Sequence, residues 1–264
     1  MFFELLKFSL IVFSAFLVKR CYTPPLGITK VPSVNLLTAP WPQKREYIIM
    51  GVFVSYVFPF QRITYAILIL LESVFIFTKM SPHFSAPLVD VKISANSTTT
   101  PLFPNHSSRS DWLGMSGLLV GVAGGIFRMA CYRALGAGFT YDIPKVSEGE
   151  RPAPKLVTRG PYSFVRHPSY LGLWIISIGF PLYHLSSGSW IVESGFLDWN
   201  VALGLLELPL GRTLVYLWVA AAILGAWVIS ARANDEDALM KKEFGAQWEE
   251  WRQRVKYRVL PFVY

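Results

Sequence analysis

Cysteine, histidine and charged residues are scarce in this 264-residue chain, and each shortage counts against a class of protein. The two cysteines, Cys21 and Cys131, form no Cys-x-x-Cys pair, so the sequence predicts neither a disulfide framework nor a zinc site. The four histidines show no ligand spacing, and we expect no metal site. Charged residues make up only 16% of the chain, which disfavours an ordinary soluble domain.

Apolar residues dominate the composition. They make up 53% of the chain, aromatic residues make up 15%, and the mean hydropathy is +0.39. These values predict an integral membrane protein. The net charge is +8, with basic residues between the apolar runs and at the C-terminus. This distribution is typical of membrane topology and headgroup contact, so the lipid bilayer is an expected partner and nucleic acid is not.

The apolar runs predict an all-α, polytopic membrane protein with about five or six transmembrane helices. The run at 47–60 is about half a span, and Arg62 separates it from the next run. A signal peptide is the alternative for the first run, although its positive charges follow the apolar core. Arg128 and Arg133 mark the last turns of the fourth run, where we expect that helix to leave the hydrocarbon. The runs cover residues 2–18, 47–60, 63–80, Trp112–Leu135, 171–185 and 213–230.

The distribution of charge between the runs predicts the topology. Basic residues concentrate in segment 136–168 and in the tail at 231–264, so we place both in the cytosol. The polar segment 81–111 then faces the lumen, and it carries two glycosylation sequons. We divide the chain into N-terminal membrane helices with this lumenal loop, residues 1–111, and a C-terminal membrane domain, residues 112–264.

One carboxylate, that of Glu72, is predicted to lie at membrane depth. An ionisable residue in a membrane helix is by default a functional candidate. No partner is near Glu72 in the sequence, and we expect it to face other helices and to be hydrogen-bonded there.

Two short cytosolic segments carry polar groups that could bind a ligand. Arg232 and Glu236 are four residues apart in a helical stretch and therefore share one face. They form either an ordinary exposed pair or a site for the charged ends of a small ligand. In the other segment, Pro168 suits the first turn of a helix, and His167 and Tyr170 belong to that turn. Their ordinary alternatives are a helix cap and an interfacial aromatic residue.

These motifs in combination resemble the isoprenylcysteine carboxyl methyltransferase family. The resemblance covers roughly residues 115–264. It rests on Gly160-Pro161-Tyr162, Arg166-His167-Pro168-Ser169-Tyr170-Leu171-Gly172, Arg232, Glu236, Phe244-Gly245, Trp248, Trp251 and Leu260-Pro261-Phe262.

The resemblance implies an enzyme of the endoplasmic reticulum membrane, with its active site and C-terminus in the cytosol. Such enzymes use S-adenosylmethionine to methyl-esterify the C-terminal prenylcysteine of processed CaaX proteins. The resemblance assigns Arg232 to the substrate carboxylate, as the catalytic and substrate-binding residue. The second acidic position carries Asp237, where the family usually has glutamate. By position, the cofactor-binding residues are Lys155, Leu156, Val157, Tyr162, His167, Pro168, Ser169, Tyr170 and Glu236.

The expected reaction needs no general base. A peptide α-carboxyl group has a pKa near ~3.5, so the nucleophile is already ionised at neutral pH. Three alternatives remain open at this stage. A phospholipid or amine methyltransferase would share the cofactor, a membrane sterol reductase would use a nicotinamide cofactor instead, and a lipid-binding membrane protein would have no catalytic activity.

Overall fold

The computed structural model describes residues 2–23, 51–80, 112–136, 155–203 and 206–262. The predicted sequon loop lies outside the described residues, and so does most of the segment between the third transmembrane helix and the Gly160 turn.

The described residues are almost entirely helical. The short connections include a 3₁₀ turn at Gly160–Ser163 and another at Phe196–Asp198. The helices are α1 (Phe2–Cys21), α2 (Phe58–Met80), α3 (Trp112–Leu135), α4 (Pro168–His184), α5 (Trp190–Glu193), α6 (Leu210–Ala231), α7 (Ala233–Phe244) and α8 (Ala246–Arg254).

The predicted all-α, polytopic membrane class is confirmed. Within the described residues, three helical stretches are long and apolar enough to cross a bilayer, namely Ser55–Met80, Trp112–Leu135 and Leu210–Phe244. The 20-residue α1 and the 17-residue α4 are also rich in apolar residues. The chain is therefore a multi-pass membrane protein whose longest described helices cover most of the predicted runs.

Two details differ from the sequence-based predictions. Arg62 does not separate two helices. It lies within α2, which begins at Phe58 directly after a π-helical turn at Phe53–Val57. The Arg62 guanidinium donates one hydrogen bond to the Thr23 hydroxyl, at 3.0 Å. The predicted loop after α4 also contains more structure, because β1 (Val201–Leu203) pairs antiparallel with β2 (Leu206–Leu208).

The chain divides into two compact units, each assembled from separate stretches of sequence. Unit 1 comprises Met1–Phe16, Ile63–Ala123 and Ile175–Ile223. Unit 2 comprises Leu17–Arg62, Gly124–Trp174 and Leu224–Tyr264. The boundary at residue 112 between the N-terminal helices and the C-terminal membrane domain stays a prediction.

Unit 1 contains the buried carboxylate of Glu72. The Lys7 ammonium lies 3.3 Å from this carboxylate and donates to the Gly188 carbonyl. The Tyr183 hydroxyl and the Trp190 backbone N–H also donate to Glu72, at 2.7 and 2.8 Å. The prediction that Glu72 faces other helices and is hydrogen-bonded there is confirmed. Because Lys7 belongs to α1, this contact joins α1 to α2 within unit 1.

Unit 2 contains the polar motifs of the sequence and a compact aromatic core. The buried members of this core, which we call the aromatic cluster, are Cys131, Tyr162, Trp248, Trp251 and Val255. All the residues of the candidate site lie in unit 2.

Candidate active site

The first turn of α4 and the first turns of α7 meet at His167. Its Nδ1 lies 3.1 Å from Glu236 Oε2, and its Nε2 lies 3.0 Å from Asp237 Oδ1. An ionised carboxylate can only accept a hydrogen bond, so both ring nitrogens of His167 must donate. The geometry therefore requires an imidazolium ion that bridges two carboxylates.

The surroundings of His167 favour its charged form. Burial alone would lower the pKa of His167, but the hydrogen bonds to Asp237 and Glu236 outweigh it and raise the pKa to about 9. The side chain is only 11% exposed, so solvent screens these contacts weakly. His167 is therefore a fixed cation at neutral pH.

Glu236 accepts contacts from three of the residues that the sequence predicted for the site. Tyr170 stacks on His167, with ring centroids 5.6 Å apart, and its hydroxyl donates to Glu236 Oε1. Arg232 lies at the junction of α6 and α7, and its Nη2 is 3.8 Å from the same oxygen. The structure thus brings Arg232, Glu236, His167 and Tyr170 together. The Glu236 side chain keeps 25% of its surface exposed, which leaves it accessible to a ligand.

Asp237 belongs to a second layer of charges that the sequence analysis did not assign. Arg166 Nη2 lies 3.1 Å from Asp237 Oδ2, and Arg258 Nε lies 3.2 Å from the same oxygen. Arg166 Nη1 also donates to the backbone carbonyls of Val255 and Lys256, both at 2.8 Å. One carboxylate therefore joins the first turn of α4 to the chain that follows α8.

The backbone of this layer is paired as well. The Arg166 N–H donates to the Tyr257 carbonyl at 2.9 Å, and the His167 N–H donates to the Arg258 carbonyl at 2.8 Å. These bonds hold the Arg-His-Pro segment against the segment after α8. The Arg-His dipeptide and the second acidic residue beside Glu236 were the features of the sequence that could have indicated this layer of charges. Nothing in the sequence indicated which of these residues pair.

The aromatic cluster collects three further predicted residues. Tyr162 is a buried member, and Leu156 and Val157 pack against the cluster. Burial raises the pKa of Tyr162, so its phenol remains neutral. The Trp251 indole N–H donates to the Tyr162 carbonyl at 3.2 Å. Lys155, by contrast, is exposed and is not among the residues that pack against the cluster in the described part of the chain.

The turn between α7 and α8 explains the Phe-Gly pair of the motif. Gly245 has a φ of +51° and a ψ of −120°, a conformation that a residue with a Cβ rarely adopts. Phe244, the last residue of α7, packs against the aromatic cluster. The Phe-Gly pair therefore ends α7 and starts α8, which carries Trp248 and Trp251 into the cluster.

Pro168 and Ser169 begin α4 as predicted, and both are buried. Ser169 accepts hydrogen bonds from Arg128 through its carbonyl and its Oγ, at 2.6 and 2.8 Å. We expected Arg128 to mark a helix end that leaves the hydrocarbon; this stays a prediction, but Arg128 does not extend to solvent. Its side chain is buried in unit 2 because these acceptors, rather than solvent, satisfy its guanidinium, whereas Arg133 is exposed as expected.

The charge of the site is positive. Cationic side chains outnumber the two carboxylates, Glu236 and Asp237, and the low accessibility of the site strengthens their field. Among the residues that the structure describes, no group of three His, Cys, Asp or Glu side chains is placed to hold a metal ion. The arrangement can bind an anionic group beside an apolar aromatic surface. The cations are Arg128, Arg166, His167, Arg232 and Arg258.

Comparison with known proteins finds a family match that includes the start of α4 and ends before α6. Residues 117–192 match the Isoprenylcysteine carboxyl methyltransferase (ICMT) family. The chain is 30% identical over 153 residues to protein-S-isoprenylcysteine O-methyltransferase B of Arabidopsis thaliana, covering 58% of this chain and 61% of that protein. The resemblance found in the sequence is thereby confirmed.

Sterol reductases are also similar to this chain. A Delta(14)-sterol reductase of Gibberella zeae is 33% identical over 120 residues, and one of Schizosaccharomyces pombe is 28% identical over 110 residues. Each similarity covers 42% of this chain, and the chain spans only 24% and 20% of those reductases. No solved structure matches the chain.

Proposed function

Because residues 117–192 match the isoprenylcysteine carboxyl methyltransferase family, we propose that this chain methylates the C-terminal carboxylate of prenylated cysteine. The methyl donor would be S-adenosylmethionine, and the substrates would be processed CaaX proteins. The observation that carries the proposal is the cluster of Arg232, Glu236, His167 and Tyr170 beside an apolar aromatic surface.

Arg232 is the group proposed to hold the substrate carboxylate. Its guanidinium is always charged and can present two parallel N–H donors to a carboxylate. It is buried, so little water competes for it, and the surplus of positive charge around it favours an anion. The carboxylate is already ionised at neutral pH, and the chain's contribution is orientation and the exclusion of water rather than proton transfer.

The residues of unit 2 fit the proposed cofactor. S-adenosylmethionine, when bound, would supply a sulfonium methyl group to the carboxylate oxygen. The exposed quarter of the Glu236 side chain would pair with the ammonium of the cofactor, and the first turn of α4 would hold its carboxylate. Tyr162, Leu156 and Val157 would pack against the adenine ring from the aromatic cluster.

The membrane helices fit a lipid-modified substrate. A farnesyl or geranylgeranyl chain dissolves in the bilayer, and the prenyl chain would reach the site from the hydrocarbon while the cofactor enters from the cytosol. The positive charge of the tail supports a cytosolic site. We place the enzyme in the endoplasmic reticulum membrane on the strength of the family resemblance.

Sterol reduction is the second candidate, because reductases are similar to this chain. The chain covers 61% of the methyltransferase but only 24% and 20% of the two reductases, which favours the methyltransferase. Binding distinguishes the two: a methyltransferase retains S-adenosylhomocysteine and a reductase retains NADPH. Retention of NADPH alone by the purified chain in nanodiscs would replace the proposal.

Substitution of Arg232 tests the proposed role directly. We expect Arg232→Ala to lower kcat/KM for N-acetyl-S-farnesylcysteine roughly 100-fold, because a lost charge-assisted hydrogen bond is worth about 3 kcal/mol. Arg232→Lys keeps the charge but loses the fork, and we expect an intermediate loss. Affinity for S-adenosylhomocysteine should change little in both. Arg212→Lys is the matched control. Arg212 is an exposed arginine at the start of α6, and it pairs with Asp198. Normal turnover by Arg232→Ala would refute the role.

A further inference from the structure

A buried arginine in a membrane helix lies directly behind the first turn of α4. Arg128 is 1% exposed, and placing a cation in such surroundings is costly unless its donors are satisfied. Its Nη1 donates to both the carbonyl and the Oγ of Ser169, at 2.6 and 2.8 Å. A buried arginine held by such short contacts has a defined orientation, and it fixes that of Ser169.

Arg128 also holds the end of α1. Its Nε donates to the carbonyl of Cys21, the last residue of that helix, at 3.2 Å. The hydroxyl of Tyr132, one turn further along α3, donates to the same carbonyl at 3.0 Å. A cation at a helix C-terminus is favourable, because the terminal carbonyls carry partial negative charge. One guanidinium thus joins the end of α1, the body of α3 and the start of α4 within unit 2.

The approach of α3 to α4 at this point depends on a glycine of the motif. A Cβ added to Gly172 would lie 2.9 Å from the Arg128 Cβ and 3.2 Å from the Gly124 carbonyl oxygen. Only a residue without a side chain allows the two helices to approach so closely. The glycine of the His-Pro-Ser-Tyr-Leu-Gly motif therefore gives Arg128 access to Ser169.

The hydrogen bond from Arg128 determines what the Ser169 hydroxyl can do. A serine hydroxyl has one hydrogen to donate, and its oxygen here accepts from a guanidinium that has no acceptor of its own. Among the described residues, the contact found for Ser169 Oγ is the one from Arg128, and accepting it leaves the hydroxyl hydrogen available for another acceptor. Ser169 is the second residue of α4, so its hydroxyl lies at the positive end of the helix. Pro168, the first residue, has no N–H to offer there.

We propose that Arg128 is a positioning residue that turns the Ser169 hydroxyl into a dedicated donor for the carboxylate of the bound cofactor. Arg128 itself does not touch the ligand. It acts through Ser169, and through the turn that carries His167 and Tyr170 to Glu236. This inference rests on the proposed function, because it takes S-adenosylmethionine as the ligand.

The test uses the full-length chain in nanodiscs and compares Ser169→Ala, Arg128→Gln, Arg128→Lys and the double variant Arg128→Gln/Ser169→Ala. Arg133→Gln, at an exposed arginine of the same helix, is the matched control. The readouts are the Kd of S-adenosylhomocysteine by calorimetry, KM for S-adenosylmethionine, kcat and the unfolding midpoint.

We expect Ser169→Ala to raise the Kd and the KM for the cofactor roughly tenfold, with kcat within about twofold of the wild type. Arg128→Gln should raise the KM for the cofactor as well, and Arg128→Lys should raise it less. The double variant should have the same KM as Arg128→Gln, because both substitutions remove the same contact to the cofactor. Arg133→Gln should bind normally.

Unchanged cofactor affinity in Ser169→Ala would overturn the inference even if Arg128→Gln does not fold, since Ser169→Ala removes only a hydroxyl. Additive effects in the double variant would also overturn it, because they would mean that the two residues act separately. A wild-type chain that binds no S-adenosylhomocysteine would refute the proposed function first, and this inference with it.

Discussion

The bridge between His167 and two carboxylates predicts a specific dependence of stability on pH. The pKa of His167 is about 9 in the folded chain, against an ordinary value of 6.5. Because the folded pKa is raised, the imidazolium stabilises the fold fully below pH 6.5, and this contribution is lost as the pH rises through about 9. The difference corresponds to about 3 kcal/mol, since a tenfold change in proton affinity is worth about 1.4 kcal/mol.

The assay is the unfolding midpoint of the purified chain in nanodiscs, followed by tryptophan fluorescence between pH 6 and about 10. We expect the wild-type midpoint to fall across the upper part of this range. His167→Gln should begin with a lower midpoint and show a much flatter profile, because a neutral amide cannot lose a proton there. His184→Gln changes a buried histidine of unit 1 whose ring nitrogens have no hydrogen-bond partner among the described residues, and it should keep the wild-type slope. Parallel slopes for the wild type and His167→Gln would refute the reasoning.

Two further changes test the surroundings of the site. Asp237→Asn should destabilise the chain by about 3 kcal/mol or more, because it removes the carboxylate that pairs with Arg166, His167 and Arg258. The control Asp235→Asn, at an exposed position of the same helix, should be nearly neutral. Equal unfolding midpoints of the two variants would contradict this expectation. Gly172→Ala should cost about 1–3 kcal/mol by overpacking α3 against α4, whereas Gly51→Ala should not, because an added Cβ there meets nothing within 4 Å among the described residues. Comparable thermal stability of both variants would show that the helices can separate without cost.

The sequence was sufficient for features that depend on local pattern. The span of α3 was predicted with the bounds that the structure has, since a long apolar run has few alternatives. The start of α4 at Pro168 followed from the preference of proline for the first helical turn. The β1–β2 hairpin was missed, because strands of three residues are too short to establish an alternating pattern.

The same division applies to the candidate site. Arg232 and Glu236 could be paired from their spacing alone, because residues four apart on a helix are neighbours. Arg166 and Asp237 are 71 residues apart, and only the tertiary fold pairs them. The burial of Arg128 was not predicted, because an arginine near a helix end can either extend to the interface or be buried. The choice depends on acceptors such as Ser169, 41 residues away.

The central claim is that this chain esterifies a prenylcysteine carboxylate, and the product of the reaction tests it most directly. Membranes containing the chain would be given S-adenosylmethionine with a labelled methyl group and N-acetyl-S-farnesylcysteine, with the matching carboxamide as a parallel acceptor. We expect label to enter only the carboxylate compound and to be released as methanol by mild alkali. Label that resists alkali, or that enters the carboxamide or the membrane lipids instead, would contradict the account.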